Sequence, residues 1–306
     1  MTARSPHWRR DLARALSRRY QATVEDILRA PPAVAGASFR IGITGPPGAG
    51  KSSLISRLAQ RRLAQGRSVG ILAIDPTSPL TGGSVLGDRV RMDELDGHDD
   101  LFIRSVPSGP SHDGLCPNVL GLLELFDEAG FDDVILETVG VGQINYAARP
   151  LVDVFVLVLS PESGDTVQAM KAGILEAADI YVVNKADMPA AQRLVSELRA
   201  LARWRAATDA PPMPVIPTST LDGAGIDSLA AAIDEQRSLA SAAARRDDRL
   251  RDRRLYQLRT LLLQAMEEAL PNGGADWTGE EFPHAITAIL NRLGMVFPDA
   301  NANLRN

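Results

Sequence analysis

A single cysteine, Cys116, occurs in 306 residues. A disulfide framework within the chain is therefore excluded, and the composition suits a reducing compartment. No run of about eighteen apolar residues occurs, so no membrane-spanning helix is expected. The amino-terminal stretch lacks the apolar core of a secretory leader. Basic charge is not in excess. A net charge of −5 and a pI near 5.5 argue against a dedicated nucleic-acid binder. The first nineteen residues depart from this balance, with six arginines against one acid, Asp11. That segment reads either as an organelle-targeting presequence or as an ordinary basic helix. A cytoplasmic location is expected, with the mitochondrial matrix as the lesser alternative. Apolar residues, by contrast, make up 45% of the chain. That is enough for the core of an α/β domain of about 200 residues with extensions.

The chain is organised around Gly45-Pro46-Pro47-Gly48-Ala49-Gly50-Lys51-Ser52, with Ser53 following. This fits the phosphate-loop pattern of glycine, four residues, then Gly-Lys-Ser. An apolar strand precedes it. The helix that follows has Leu54, Ile55 and Leu58 on its apolar face. Glycines let the backbone curl until several amide N–H groups point at one anion. The helix start adds unpaired donors and the positive end of its dipole. Lys51 would reach the outer phosphates, and the Ser52 hydroxyl would ligate Mg²⁺. Gly45, Pro47, Gly48, Ala49, Gly50, Lys51, Ser52 and Ser53 are the candidate phosphate-binding residues.

Strands are predicted over Phe39–Thr44, Val69–Asp75, Leu101–Ser105, Val134–Glu137, Val154–Leu159, Ile180–Asn184 and Val215–Thr218. Helices are predicted over Ser52–Gln65, Pro117–Ala129, Thr166–Ala177, Ala190–Ala206 and Ile226–Arg237. Short apolar strands alternating with helices imply an α/β fold, a mainly parallel sheet flanked by helices. Residues 1–38 read as an N-terminal helical extension in which Thr23 caps a helix, with Asp26 three residues on. Residues 39–237 read as the P-loop domain, and 238–306 as a C-terminal helical arm. In the arm, Leu258, Leu261, Leu262 and Met266 form an apolar stripe. Its length beyond a complete core favours a dimer arm. Thr278 with Glu281 reads as the capping box of a last short helix.

Ligands on such sheets bind beyond the carboxyl ends of the strands. Asp75 ends a buried strand, where a carboxylate needs a cation or a strong donor. Asp75 and Asp88 are candidates for a Mg²⁺ shell, directly or through water. A turn at Asp75-Pro76 and a helix cap at Asp88 explain them equally well. His112 and Cys116 are four apart, but a glycine-rich loop is the better reading than a metal site there. Glu137-Thr138-Val139-Gly140 puts an acid at a strand end, three residues before a glycine, as in a γ-phosphate sensor. The Gly140 amide would bond the γ-phosphate, and Glu137 would hold a Mg²⁺-bound water. Val141 stands where Ras-like enzymes place a water-positioning Gln, so unaided hydrolysis is expected to be slow. Lys51, Asp88, Glu137 and Gly140 are the candidate catalytic groups.

Asn184-Lys185-Ala186-Asp187 matches the guanine-recognition tetrad. The Asp187 carboxylate would accept from the guanine ring N–H and its exocyclic amine. Asn184 would support the base edge and the loop, and the Lys185 stem would lie along the ring. Ser219, Thr220 and Leu221 follow the seventh strand and could supply a backbone contact to guanine O6. GTP and GDP with Mg²⁺ are the expected ligands.

Together these stretches resemble the MeaB/ArgK family of P-loop GTPases, of the SIMIBI class. The resemblance rests on Gly45 to Ser53, Asp75-Pro76-Thr77-Ser78-Pro79, Gly82 to Met92, Glu137 to Gln143, and Lys171-Ala172-Gly173 through Asp187. The family's Glu in place of Asp accounts for Glu137. The resemblance implies a GTPase chaperone of an adenosylcobalamin-dependent acyl-CoA mutase, usually methylmalonyl-CoA mutase. It implies a homodimer that gates cofactor delivery or protects the mutase. It further implies metal-site roles for Ser52, Asp75, Asp88 and Glu137, and a third switch over Asp165 to Lys171. Departures occur at Gln143-Ile144-Asn145, at Ser108 to Asn118 and at Asp165-Thr166-Val167. They suggest a paralogue serving a related mutase. A metal-insertion GTPase of the same class is the alternative, although the clustered His and Cys it would need are lacking. A nucleotide-dependent scaffold without useful hydrolysis is another, and a small-molecule kinase should lack the guanine tetrad.

Overall fold

The structure is a computed structural model that describes residues 6–29, 38–76, 97–109, 114–139, 146–162, 177–206, 213–240 and 243–269. The strands are β1 (Phe39–Thr44), β2 (Val69–Asp75), β3 (Leu101–Pro107), β4 (Asp133–Glu137), β5 (Val154–Leu159), β6 (Ile180–Val183) and β7 (Val215–Pro217). They form one seven-stranded sheet in the order β3-β2-β4-β1-β5-β6-β7, and every pairing is parallel. The central strands are buried along their whole length because both faces of the sheet are covered. Alternation survives as the choice of face. Val154, Val156 and Val158 enter one apolar cluster, while Leu157 and Leu159 enter another.

The helices are α1 (Trp8–Tyr20), α2 (Val24–Arg29), α3 (Lys51–Ala64), α4 (Val119–Glu128), α5 (Ala191–Ala206), α6 (Ile226–Ala240) and α7 (Ala243–Ala269). Leu54, Ile55 and Leu58 of α3 join Leu229 and Ile233 of α6 in the first cluster. Leu194, Val195 and Leu198 of α5 join Tyr181 and Val183 in the second. Leu12 and Leu16 of α1 are buried, and the Trp8 ring meets those of Phe102 and Phe131.

The predicted strands are all present, with ends that shift for local reasons. β3 runs on to Pro107, paired along its length with β2. β6 stops at Val183, where the next side chain, Asn184, is committed to a neighbouring loop. α4 begins at Val119 rather than at Pro117, because Asn118 sits at φ 55°. Of the predicted helix over 166–177 only Ala177 is described, and it is helical; the Thr278–Glu281 cap and His112 lie outside the described residues.

Two compact units are formed, Met1–Gln21 with Pro31–Arg253, and Ala22–Ala30 with Arg254–Asn306. In the second, Thr23 caps α2: its Oγ1 accepts from the Asp26 amide at 3.2 Å, and its own amide donates back to Asp26 at 3.0 Å. Leu255, Leu258, Leu262, Leu263 and Met266 of α7 are exposed.

At the amino ends of the strands, buried charges are paired. Asp133 is wholly buried and meets Arg67 Nε at 2.9 Å and Arg237, while Arg62, also wholly buried, reaches Asp234 at 2.8 Å. Arg40 meets Asp127 at 2.6 Å, and Asp153 accepts from the Arg40 amide, Arg249 and Arg253. These pairs fasten helices to the end of the sheet opposite the phosphate loop.

Candidate functional site

The carboxyl ends of β1, β2, β4, β6 and β7 converge on the region where the sequence concentrates its polar loops. β1 ends at Thr44, and α3 begins at Lys51 with Gly50 as its N-cap. Two glycines are required by close approach as well as by backbone angle. Gly50 sits at φ 84°, and a Cβ there would lie 2.3 Å from Asn184 Nδ2. Gly45 sits at φ 153°, and a Cβ there would lie 2.0 Å from the Val158 carbonyl oxygen. The loop is thus pressed against β5 on one side and the tetrad on the other. The Lys51 ammonium donates to the carbonyls of Gly45 at 3.0 Å and Pro46 at 3.2 Å. It is held over the mouth of the loop, where an anion would compete for it.

Two of the predicted metal-site residues touch. The Ser52 hydroxyl donates to Glu137 Oε1 at 2.8 Å, with both side chains buried. β2 and β4 run side by side, with Ala73 opposite Glu137, so Asp75 lies two residues further along the adjacent strand. Asp75 is 2% exposed. Hydroxyl and carboxylate oxygens are the hard donors that a small divalent cation such as Mg²⁺ prefers, so Ser52, Glu137 and Asp75 could hold one. Asp88 and Gly140 lie outside the described residues.

Asn184 is 1% exposed and bridges two loops. Its Nδ2 donates to the Ala49 carbonyl at 2.9 Å, and its Oδ1 accepts from Thr218 Oγ1 at 3.2 Å. Lys185 adopts φ 58°, and its ammonium pairs with Glu162 after β5. Asp187 is exposed. Ser219 is buried, Leu221 is exposed, and the Thr220 carbonyl accepts from Arg57 Nε at 3.1 Å. An open loop of amide donors, a lysine, a buried hydroxyl–carboxylate pair and an exposed acid on the base-recognition tetrad together suit a guanine nucleotide with a divalent cation.

A family model described as methylmalonyl Co-A mutase-associated GTPase MeaB matches residues 11–274. The chain belongs to the MeaB family. It is a P-loop GTPase, as the family is. It is 38% identical over 242 residues to a protein of Pyrococcus abyssi named as a GTPase, covering 78% of this chain and 74% of that one. It is 38% identical over 196 residues to the mitochondrial methylmalonic aciduria type A homolog of Mus musculus, covering 63% of this chain and 47% of the mouse protein. A crystal structure of an LAO/AO transport system kinase superposes with a TM-score of 0.62 at 25% identity, over 95% of this chain and 89% of that one.

Four contacts in this MeaB-family site escape motif reading: Thr138 Oγ1 to Thr44 Oγ1 at 2.9 Å, Thr218 to Asn184, Arg57 to the Thr220 carbonyl, and Glu162 to Lys185. Each joins residues far apart in sequence, so no local spacing announces it.

Proposed function

We propose that this GTPase is a chaperone of an adenosylcobalamin-dependent acyl-CoA mutase, methylmalonyl-CoA mutase or a close relative. It would couple GTP hydrolysis to cofactor loading or to protection of the mutase. The family match across residues 11–274 carries this reading. In the proposed site, the loop from Gly45 to Ser53 wraps the phosphates with the amide N–H groups beyond Pro47 as donors, and Lys51 moves from the Gly45 and Pro46 carbonyls onto the outer phosphates. Asp187 reads guanine, Asn184 and Lys185 frame the base, and Ser219, Thr220 and Leu221 close over its O6 edge. Ser52 would ligate Mg²⁺ directly, with Glu137, Asp75 and Asp88 in its shell. When bound, Mg²⁺ neutralises charge on the phosphate oxygens. The Gly140 amide senses the γ-phosphate. Val141 offers no group to orient the attacking water, so turnover is slow until the partner binds.

The exposed leucines of α7 support a homodimer formed through the C-terminal arm. The single cysteine suits a reducing compartment and so supports a cytoplasmic location.

The test is GTP hydrolysis by the purified protein, alone and with candidate adenosylcobalamin mutases, with Lys51→Ala as control. Slow basal turnover that one mutase raises is the expected result, and it names the client. No stimulation by any mutase, with tight GTP binding retained, would overturn the chaperone reading and leave the GTPase.

A further inference from the structure

We infer that a groove between α1 and β3 docks an acidic segment of a protein partner. It is an open groove lined by Arg10, Ala13, Arg14, Ser17 and Arg18 of α1 and Arg104 of β3. Its volume is about 460 Å³. The three arginines of α1 recur every four residues and therefore stand on one face of the helix. At 1.5 Å of rise per residue they span roughly 12 Å. Like charges at this spacing oppose the helix that carries them.

The arginines of this region divide into two sets. Arg9 donates to the His98 carbonyl and lies over the Trp8 ring, Arg19 packs across Gly121, and Arg104 donates to Ser17 Oγ at 2.8 Å. Arg10, Arg14 and Arg18 are exposed and make no ion pair among the described residues. Asp99 lines the adjoining depression with Arg9 and Arg10, and no acid among the described residues lines the groove itself. Elsewhere Arg40, Arg62, Arg67, Arg237, Arg249 and Arg253 all pair with carboxylates of the same chain.

The platform is fixed. Leu12 and Leu16 are buried beneath it, and Tyr20 Oη donates to the Pro107 carbonyl at 3.3 Å. The helix backbone that carries the row is held in place, and each guanidinium can grip one carboxylate through two N–H groups. The charges are strung along the helix rather than gathered at a point, which suits an extended polyanion over a single phosphate. The chain's net charge of −5 disfavours nucleic acid as that polyanion. Acidic side chains on a protein partner are the class that fits, and this inference stands whether or not the client is a mutase.

The experiment uses the full-length protein with GDP and a fluorescein-labelled octaglutamate peptide, read by anisotropy at 50 and 300 mM salt. The wild type should bind the peptide and weaken at the higher salt. The triple variant R10E/R14E/R18E should bind at least ten-fold more weakly at low salt, with GDP affinity and Tm unchanged. The variant R193E/R199E/R203E makes the same charge change on α5 and should keep peptide affinity within two-fold. Equal loss in both variants, or no loss in the first, would overturn the inference. So would tighter groove-dependent binding of a 20-nucleotide single-stranded DNA, or of inorganic pyrophosphate, than of the peptide.

Discussion

Asn184 should act first on the phosphate loop and only second on the base. Its side chain is 1% exposed and makes two good hydrogen bonds, to the Ala49 carbonyl at 2.9 Å and from Thr218 at 3.2 Å. A third contact, to the Gly50 carbonyl at 3.4 Å, is too long to add much. Asn184→Ala removes both good bonds and leaves a wholly buried Thr218 hydroxyl without that acceptor. Each lost bond costs about 0.5–1.5 kcal/mol net, and an unmet buried group adds to that. The sum is about 2–4 kcal/mol in the nucleotide-free protein. For a unit of this size that lowers Tm by roughly 4–12 °C. Some of the lost order belongs to the loop that holds phosphate. Inorganic pyrophosphate has no base, yet it should bind Asn184→Ala about three- to ten-fold more weakly, by isothermal titration. Asp187→Asn should weaken GDP and leave pyrophosphate untouched. If Asn184→Ala weakens GDP while pyrophosphate affinity stays within two-fold and Tm within 1 °C, Asn184 serves the base alone and the reasoning fails.

Four further outcomes follow from the same contacts. Glu137→Gln weakens the partner of Ser52 and should raise the Mg²⁺ concentration needed for half-maximal hydrolysis by about ten-fold; an unchanged magnesium titration would remove Glu137 from the metal shell. Glu162→Gln should weaken mant-GDP a few-fold at low salt with no loss of Tm, since an exposed pair is worth at most about 1 kcal/mol, and should have no effect in a Lys185→Met background. Asp133→Asn takes a wholly buried carboxylate from Arg67 and Arg237, which keep only long contacts to Asp234, and should cost about 1.5–3 kcal/mol in urea melts; a loss under about 1 kcal/mol would show the cluster to be dispensable. Asp132 gives a pH signature. Burial pushes its carboxyl up, but bonds from the Ser68 amide and hydroxyl, with Arg67 and Arg237 nearby, outweigh burial and hold it below its ordinary value. A depressed carboxyl stabilises above its unfolded pKa and loses that contribution as pH falls through the folded one. The stability gap between wild type and Asp132→Asn should therefore be full at pH 6 and shrink as pH drops below about 4, by urea melts; a gap independent of pH would refute it.

Legibility differed between the two ends of the sheet. The phosphate loop and the tetrad are contiguous stretches whose backbone geometry is dictated by their own residues. Gly50 must be glycine for its φ, and that much is local. That it must also be glycine because Asn184 lies against it is a contact across 134 residues, which no local pattern reveals. The strands were legible because continuous apolar runs of five to seven residues have few other uses in an α/β chain. Helix starts were less so: the Asn118 backbone delays α4 by two residues. At the amino ends, no local pattern marks Arg40 and Arg62 as buried, yet they are 3% and 0% exposed. Their partners Asp127 and Asp234 lie 87 and 172 residues away, so the pairing that permits burial is invisible until the chain is folded.

β4 shows what this division achieves. It has five residues and begins with Asp133, bound by arginines, and ends with Glu137, bound by Ser52. At about 3.3 Å per residue of a parallel strand the two carboxylates are attached some 13 Å apart. Both are buried and both sit against strong donors, so burial and charge alone would not tell them apart. Their positions do. Asp133 meets arginines from α3, its following turn and α6, all of them fixed by packing. Glu137 meets a hydroxyl at the start of α3, beside a loop that must admit a ligand. Asp133→Asn should therefore lower Tm with the magnesium requirement unchanged, and Glu137→Gln should shift the magnesium requirement with a smaller change in Tm. A common pattern in both variants would mean that the strand transmits strain between its ends, and that stability and chemistry in this fold are not separable along β4.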